Sequence, residues 1–450
     1  MRPHTAGPAS QRGVALLIVL VVLFIVAVLM VDISLTAATA RRSAHNASTE
    51  FLMDAAIEGH FQVAVAQILY DQSENNYDGG DDRWAREEYT KFESKSQREK
   101  DQAAAASGPA PAKAGGEEEG GVRVLGDSDD IAVTTRIEDE ERKFNLYLLL
   151  KQADTKKQDE AREKFAVLLD RFREDTPLDL SRTRAEELKD RIVDYINRDP
   201  PGEGEKGKIP LPRTGKWCLL TPDELRNAEG LEDRDHAMPA EGILYDAREP
   251  RAVKAWLEDP GNNEPPKVYP GLLRYVTLWS GGAWAGKVDA DAMKRMVLVN
   301  LNTAEKPVLE TLFAHNPGDF TFVDKIIEYR GAPKEDSKTT SGEAPKADEP
   351  LPQHQYFQKF EDLKKVDGLE DGTVLARNGI DGTTVTFSSD TFSVDILAER
   401  DETSKQVRTV VRRNKLAAGS PPGYQTLLRE ERADPRFEEK KAEDDAEAGK

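Results

Sequence analysis

Hydrophobic positions along the chain fall into distinct regimes. Val14 to Met30 reads VALLIVLVVLFIVAVLM, continued by Val31, with no charged residue before Asp32. At about 1.5 Å per residue this run spans roughly 27 Å, close to the hydrocarbon thickness of a bilayer. In lipid the backbone must satisfy its own hydrogen bonds, so the β-branched content does not prevent a helix. The pattern predicts a transmembrane helix over 14–31. Past it, Leu52, Ala56, Gly59, Val63, Ala66 and Tyr70 recur at spacings of four and three. They form one helical face of mostly small residues, suited to packing on the protein's own sheet or on neighbouring subunit helices. Ile131 to Ile137 (IAVTTRI) predicts a strand, as do Thr384 to Phe387 and Phe392 to Leu397, and Gln406 to Val411 supplies a hairpin partner. Gln97 to Gly121 lacks an apolar period and predicts a disordered loop, and residues 414–450, ending EEKKAEDDAEAGK, predict a disordered charged tail.

Between the strand regions, roughly 144 to 382 reads as mostly helical and carries an imperfect repeat. Asp190-Arg191-Ile192-Val193-Asp194-Tyr195 matches Asp324-Lys325-Ile326-Ile327-Glu328-Tyr329. Further on in each copy, Pro222-Asp223-Glu224-Leu225 then Gly230-Leu231-Glu232-Asp233 matches Phe360-Glu361-Asp362-Leu363 then Gly368-Leu369-Glu370-Asp371. An Asn-Leu pair precedes each copy, Asn145-Leu146 and Asn300-Leu301. Duplication of one small helical unit is the economical explanation.

Composition narrows the function classes. The formal net charge is −20 over 450 residues, which repels phosphate backbones and weighs against a nucleic-acid partner. The hydrophobic fraction of 38% is that of a soluble protein, so the N-terminal run is a local exception. Cys218 is the single cysteine, so no intrachain disulfide exists, and beside Trp217 and Leu219 it reads as a small buried apolar residue. HExxH, Walker, CxxC and GxSxG motifs are absent, and the six histidines are scattered, so no enzyme is expected.

The leader MRPHTAGPASQRG admits three readings: a plain signal anchor, a secretory signal with an A-x-A-like site at Ala38-Thr39-Ala40, or a prepilin-type signal ending at Gly13. Gln11-Arg12-Gly13-Val14-Ala15-Leu16-Leu17 resembles the start of the K-type minor pseudopilins (GspK family) of type II secretion systems. Generic pilin-like proteins carry glutamate at the fifth mature position, which here is Ile18, and the K-type subunit typically lacks it. The phrases IEDEERKFNLY, VNLNTAEKPVLETL and FSSDTFSVDI also resemble that family, so the likeness covers most of residues 11 to 413. It departs in the loops at 97–121, 201–215 and 331–352, and in the tail.

The resemblance implies an α+β fold. It has a type IV pilin-like long helix and small antiparallel sheet, with a large inserted α-helical region of two related SAM/helix-hairpin-helix-like units. The expected divisions are a prepilin leader (1–13), a transmembrane helix (14–31), a pilin-like domain (32–138 with 383–413) and an inserted domain (139–382). The two repeat units fall at about 139–270 and 271–382. The resemblance implies cleavage between Gly13 and Val14 by a prepilin peptidase, N-methylation of Val14, and assembly through Ile18, Leu52, Ala56, Gly59 and Val63. Implied partners are the I- and J-type minor pseudopilins at the tip of a periplasmic pseudopilus. The anchor would be single-pass in a bacterial inner membrane, with a cytoplasmic N-terminus. Arg2 and Arg12 favour that orientation, while Arg41 and Arg42 on the far side oppose it. Relatives bind structural calcium, for which Asp233-Arg234-Asp235 or Asp367 to Asp371 could supply ligands, and no other cofactor is expected. The rival reading is a membrane-tethered DNA receptor. Val299 to Asp371 also resembles a helix-hairpin-helix module, but three carboxylates at Asp367, Glu370 and Asp371 would repel a phosphate.

Overall fold

The computed structural model describes residues 9–85, 91–92, 131–150, 155–176, 179–197, 219, 221–228, 231, 243–248, 267–280, 296–315, 320–332, 355–400, 403–414 and 423–432. The expected disordered loop at 97–121, the loop at 201–215, Asp233 to Asp235 and Cys218 lie outside these residues. The chain divides into two compact units. One comprises Met1–Gly59, Ser94–Ala132 and Ala398–Thr403; the other comprises His60–Glu93, Val133–Leu397 and Ser404–Lys450.

Helix α1 runs without interruption over Ala9–Glu74, 66 residues. It contains no proline, and its only glycines are Gly13 and Gly59, so nothing in the sequence breaks the hydrogen-bond ladder. In the first unit, Leu16 to Val31 is apolar, uncharged and exposed throughout. Among the described residues, one helix is thus long and apolar enough to cross a membrane. Burial begins lower down, at Thr49, Met53, Ala56 and Ile57. In the second unit, His60, Phe61, Ala64, Val65 and Ile68 continue a buried stripe at helical spacing, and Asp71 occupies its next position.

The second unit also contains most of a five-stranded sheet. Its strands are β1 (Lys91–Phe92), β2 (Ala132–Asp139), β9 (Thr391–Arg400), β10 (Thr403–Arg413) and β11 (Tyr424–Arg432), ordered β1-β2-β9-β10-β11. β1 pairs antiparallel with β2, and β10 antiparallel with β11. β9 is central, and its first four residues are buried on both faces. Strand β11 corrects the expectation of a disordered tail over 414–450. Its run YQTLLREER has no clean apolar alternation, because an edge strand needs only one backbone neighbour and can carry charges outward.

Between β2 and β9 lie helices α2 (Thr155–Arg171), α3 (Arg182–Asn197), α4 (Lys306–Leu312), α5 (Thr321–Gly331) and α6 (Thr373–Arg377). α2 packs on both α3 and α4. Trp279, Phe165, Phe313, Phe357, Leu146 and Leu149 are fully buried in this region, each contributing about 1.5–3 kcal/mol. Short two-residue strands interleave with the helices. β3 (Phe144–Asn145) pairs parallel with β6 (Val276–Thr277), β4 (Ala247–Arg248) antiparallel with β5 (Val268–Tyr269), and β7 (Val299–Asn300) parallel with β8 (Val385–Thr386).

These ladders give the Asn-Leu pairs a physical role. Asn145 accepts the Tyr147 N–H through Oδ1 (2.9 Å) and donates through Nδ2 to Ser280 O and Oγ (2.9 and 2.8 Å). Asn300 accepts the Asn302 N–H (3.0 Å) and donates to Ser389 Oγ (2.9 Å) and Asp139 Oδ2 (3.0 Å). Each asparagine thus turns its own strand end and ties it to a serine three residues past the partner strand's threonine, Thr277 or Thr386. Other matched positions share their environments: Ile192 and Ile326, Leu225 and Leu363, and Leu231 and Leu369 are all buried. Glu224 and Asp362 each accept the backbone N–H three residues earlier, from Thr221 and Lys359.

Candidate functional site

A buried acidic cluster forms in the second unit where α1 ends. Asp71 comes from the last turns of α1, and Asp78 and Asp82 from the following loop. One ligand atom from each lies within 4.8 Å of the others. Asn75 holds the loop: its Nδ2 donates to Asp71 Oδ1 (3.3 Å) and Asp82 Oδ1 (3.2 Å), while its Oδ1 accepts the Tyr77 N–H (3.1 Å). Gly79 donates its N–H to Asp82 Oδ2 (2.6 Å). The ring of Tyr356 lies so close that a Cβ on Gly79 would meet it at 2.7 Å, so any larger residue there requires that ring to shift.

Asp78 is fully buried. Its Oδ2 accepts from the Ser389 N–H (2.6 Å) and from Arg413 Nη2 (2.5 Å), and its N–H donates to Phe387 O (2.9 Å). Arg413, at the end of β10, also places Nη1 3.7 Å from Asp71 Oδ2 and lies over the Phe392 ring. The cluster therefore joins segments more than 300 residues apart in sequence. Asp71 and Asp78 stand within hydrogen-bond reach of each other. Each has an oxygen, Asp71 Oδ2 and Asp78 Oδ1, that no hydrogen-bond donor among the described residues satisfies. Two acceptors facing one another require a proton or a cation between them.

Electrostatics agree. Burial, with Asp82 and Asp78 beside it, pushes the Asp71 carboxyl up to about 9 against the pull of Arg413. Burial raises Asp82 to about 6, and raises Asp78 despite Arg413. Three ionised carboxylates against one guanidinium would leave two negative charges uncompensated.

Two neighbouring acidic groups differ from this cluster. Asp139 is saturated with donors: Thr303 Oγ1 (2.5 Å), Ser389 Oγ (2.7 Å) and Asn300 Nδ2 (3.0 Å) on Oδ2, and the Glu141 N–H (2.7 Å) on Oδ1. Glu140 is paired with Lys143 and Arg408, both at 2.9 Å, and accepts from Thr277 Oγ1. Burial works to raise Glu140, but those two cations outweigh it and hold its carboxyl at about 2. These are structural networks.

The calcium implied by the family resemblance can be tested against this donor set. Hard divalent cations take carboxylate oxygens, and Asp71, Asp78 and Asp82 converge with uncompensated charge and orphaned oxygens. The residues fit. The oxygen-rich stretch Asp367 to Asp371 does not converge: Asp367 pairs with Lys325 (2.5 Å), Glu370 accepts the Gly368 N–H and Asp371 the Thr373 N–H. The signal for the convergent cluster was present in DQSENNYDGGDD, where acidic and amide residues surround two glycines. What sequence reading could not supply was Arg413.

Gly13 and Val14 lie within α1, and Ile18 is exposed on its apolar half. Ala56 is fully buried, whereas Leu52, Gly59 and Val63 are half-buried along the margin of the buried stripe. No protein-family model and no curated protein matches this chain. Among solved structures, it is similar to a chain in the crystal structure of the GspK-GspI-GspJ complex from the enterotoxigenic Escherichia coli type 2 secretion system. The TM-score is 0.42 and the identity 12%, covering 87% of this chain and 100% of that one. At that TM-score the likeness carries no weight for fold or function.

Proposed function

We propose that this protein is a membrane-anchored assembly subunit, a minor pseudopilin at the tip of a type II secretion pseudopilus. In this reading it initiates the filament that exports folded proteins. The observation that carries the reading is α1, one uninterrupted helix whose stretch Leu16 to Val31 is uncharged, apolar and exposed and whose last turns are built into a folded unit. Such a helix serves as a lipid anchor in the precursor and as a packing handle in a filament. Cleavage between Gly13 and Val14 would free the handle. Ile18 then places no carboxylate in the bilayer, where one costs a few kcal/mol unless paired. The helices between β2 and β9 form an insertion of two related helix-hairpin-helix-like units, bulky enough to oppose stacking of another subunit above. The I- and J-type subunits are the expected neighbours, in the inner membrane with the folded part periplasmic.

The DNA-receptor reading fares worse at the hairpin of Asp367 to Asp371, which lies among the described residues. Gly368 has φ +86°, yet its N–H is already taken by Glu370, and Lys325, the nearby cation, is paired with Asp367. A phosphate would have to displace both carboxylates.

Site-specific cross-linking tests the proposal. With Cys218 replaced by serine and one cysteine placed at Ile18, the protein should cross-link to the membrane helix of another pilin-like subunit in its native host. Absence of such a product, together with salt-sensitive DNA binding by the purified chain, would replace this reading with the DNA receptor.

A further inference from the structure

We propose that the cleft between the end of α5 and the turn Phe360–Lys365 is a docking site for a carboxylate carried on an extended peptide of a partner protein. Lys359 is its cation, and the Tyr329 ring is the platform for the residue that bears the carboxylate. The inference goes beyond the assembly role and rests on one unit alone. The cleft encloses about 460 Å³ and is lined by Tyr329, Gln355, Tyr356, Gln358, Lys359 and Lys365, with Asp362 among them. Its walls are held in place. Phe357 is fully buried and clamped by Asn302, which accepts its N–H and donates to its carbonyl, both at 2.9 Å. Tyr329 is half-buried and stacks on Phe357 (4.7 Å), Tyr356 stacks on Tyr77 (5.5 Å), and the Gln355 N–H donates to Ala332 O (2.8 Å). Asp362 is the carboxylate of this lining, and both its oxygens are occupied. Oδ2 accepts the Gln358 and Lys359 N–H groups (3.0 and 3.1 Å), and Oδ1 pairs with Lys365 (2.8 Å). Lys359 is exposed and has no carboxylate partner among the described residues. What faces a ligand is therefore rich in donors and carries one uncompensated positive charge, in a chain whose net charge is −20. One such charge matches a monoanion, and a carboxylate is the organic monoanion whose hydrogen bonds to an ammonium are charge-assisted. The Gln355 and Gln358 carboxamides each offer a donor and an acceptor, the complement of a peptide unit.

The repeat supplies an independent observation. Alignment of its copies sets Tyr329 on Tyr195, Phe357 on Leu219, Lys359 on Thr221 and Lys365 on Asn227. Positions that build the scaffold keep their character: Phe357 and Leu219 are both buried, and Asp362 and Glu224 both accept the N–H three residues earlier. Positions that line the cleft do not. Both lysines fall on uncharged residues, and the tyrosine that is half-buried at 329 is buried at 195. The same scaffold thus folds without either lysine, so their charge at the second copy answers to something other than the fold.

The test is a ligand-detected NMR titration of the full chain in detergent with three short peptides. They are N-acetyl-Gly-Gly-Leu with a free C-terminus, the same peptide as its C-terminal amide, and N-acetyl-Gly-Glu-Gly amide. A peptide that bears a carboxylate should bind with Kd of about 1 mM or tighter, and the neutral amide about five-fold more weakly or worse. Binding of the first peptide identifies a chain terminus as the source of the carboxylate, and binding of the third an acidic side chain. Lys359→Gln changes an exposed side chain, leaves the fold intact and should weaken binding about five-fold, whereas Lys359→Arg keeps the charge and should keep binding. The site is overturned if neither carboxylate peptide binds at about 10 mM, if the neutral amide binds equally well, or if Lys359→Gln binds undiminished. Tighter binding of N,N′-diacetylchitobiose than of either carboxylate peptide would also overturn it, in favour of a glycan cleft. None of these outcomes bears on the assembly role, which cross-linking at Ile18 tests separately.

Discussion

In the metal-free protein, raising the pH from about 5 to about 8 should destabilise the fold. Burial lifts the Asp71 carboxyl from 3.8 to about 9 and that of Asp82 to about 6. The folded state therefore binds protons that the unfolded state has already released. For such groups the stabilisation is complete below about pH 4. It is lost as pH rises through about 6 for Asp82 and about 9 for Asp71. One proton taken up on folding gives a slope of about 1.4 kcal/mol per pH unit, so Asp71 alone predicts a loss of about 4 kcal/mol across this window. Asp82 adds to the fall only below about pH 6. Asp139 and Glu141, also raised by burial, act in the same direction. Glu138 and Glu140 are depressed by Lys143 and other neighbouring cations, so their contribution is present throughout and falls away only in acid. Urea unfolding of the full chain in detergent with excess chelator, followed across this range, measures the slope. Asp71→Asn should flatten it by about one proton. Stability that stays level or rises from pH 5 to pH 8 would refute the reasoning.

Other consequences follow from particular contacts. Asn300→Ala removes an amide that serves Asn302, Asp139 and Ser389 in a fully buried setting. It should cost about 2–4 kcal/mol in urea unfolding. Gly79→Ala would drive a Cβ into the Tyr356 ring and should cost about 1–3 kcal/mol. Combining it with Tyr356→Ala should show strong non-additivity in a double-mutant cycle. Glu140→Gln removes the carboxylate charge that Lys143 and Arg408 share, while Lys143 keeps Glu138 at 3.1 Å, and should lower stability by about 1–3 kcal/mol.

Features set by local pattern were legible in the sequence. The apolar run at 14–31 and strands β2, β9 and β10 declare themselves through period and β-branched content. The repeat was visible because its copies keep the same buried positions, Ile192 with Ile326 and Leu225 with Leu363. What the Asn-Leu pairs do was not legible, since Asn145 and Asn300 act on serines more than 80 residues away. The acidic cluster was hidden for the same reason. Asp71 looks like the polar end of a helix until Asp78 and Arg413, 335 residues apart, are brought together. Strand β11 was hidden differently: its charges report an edge position, and a hydropathy pattern reads them as tail.

Intact mass of the chain extracted from its native membrane tests the central claim most directly. The account predicts a mature protein beginning at N-methylated Val14, having lost the thirteen residues before it. A chain that begins at Arg41, or one that retains the leader from Met1, would contradict it.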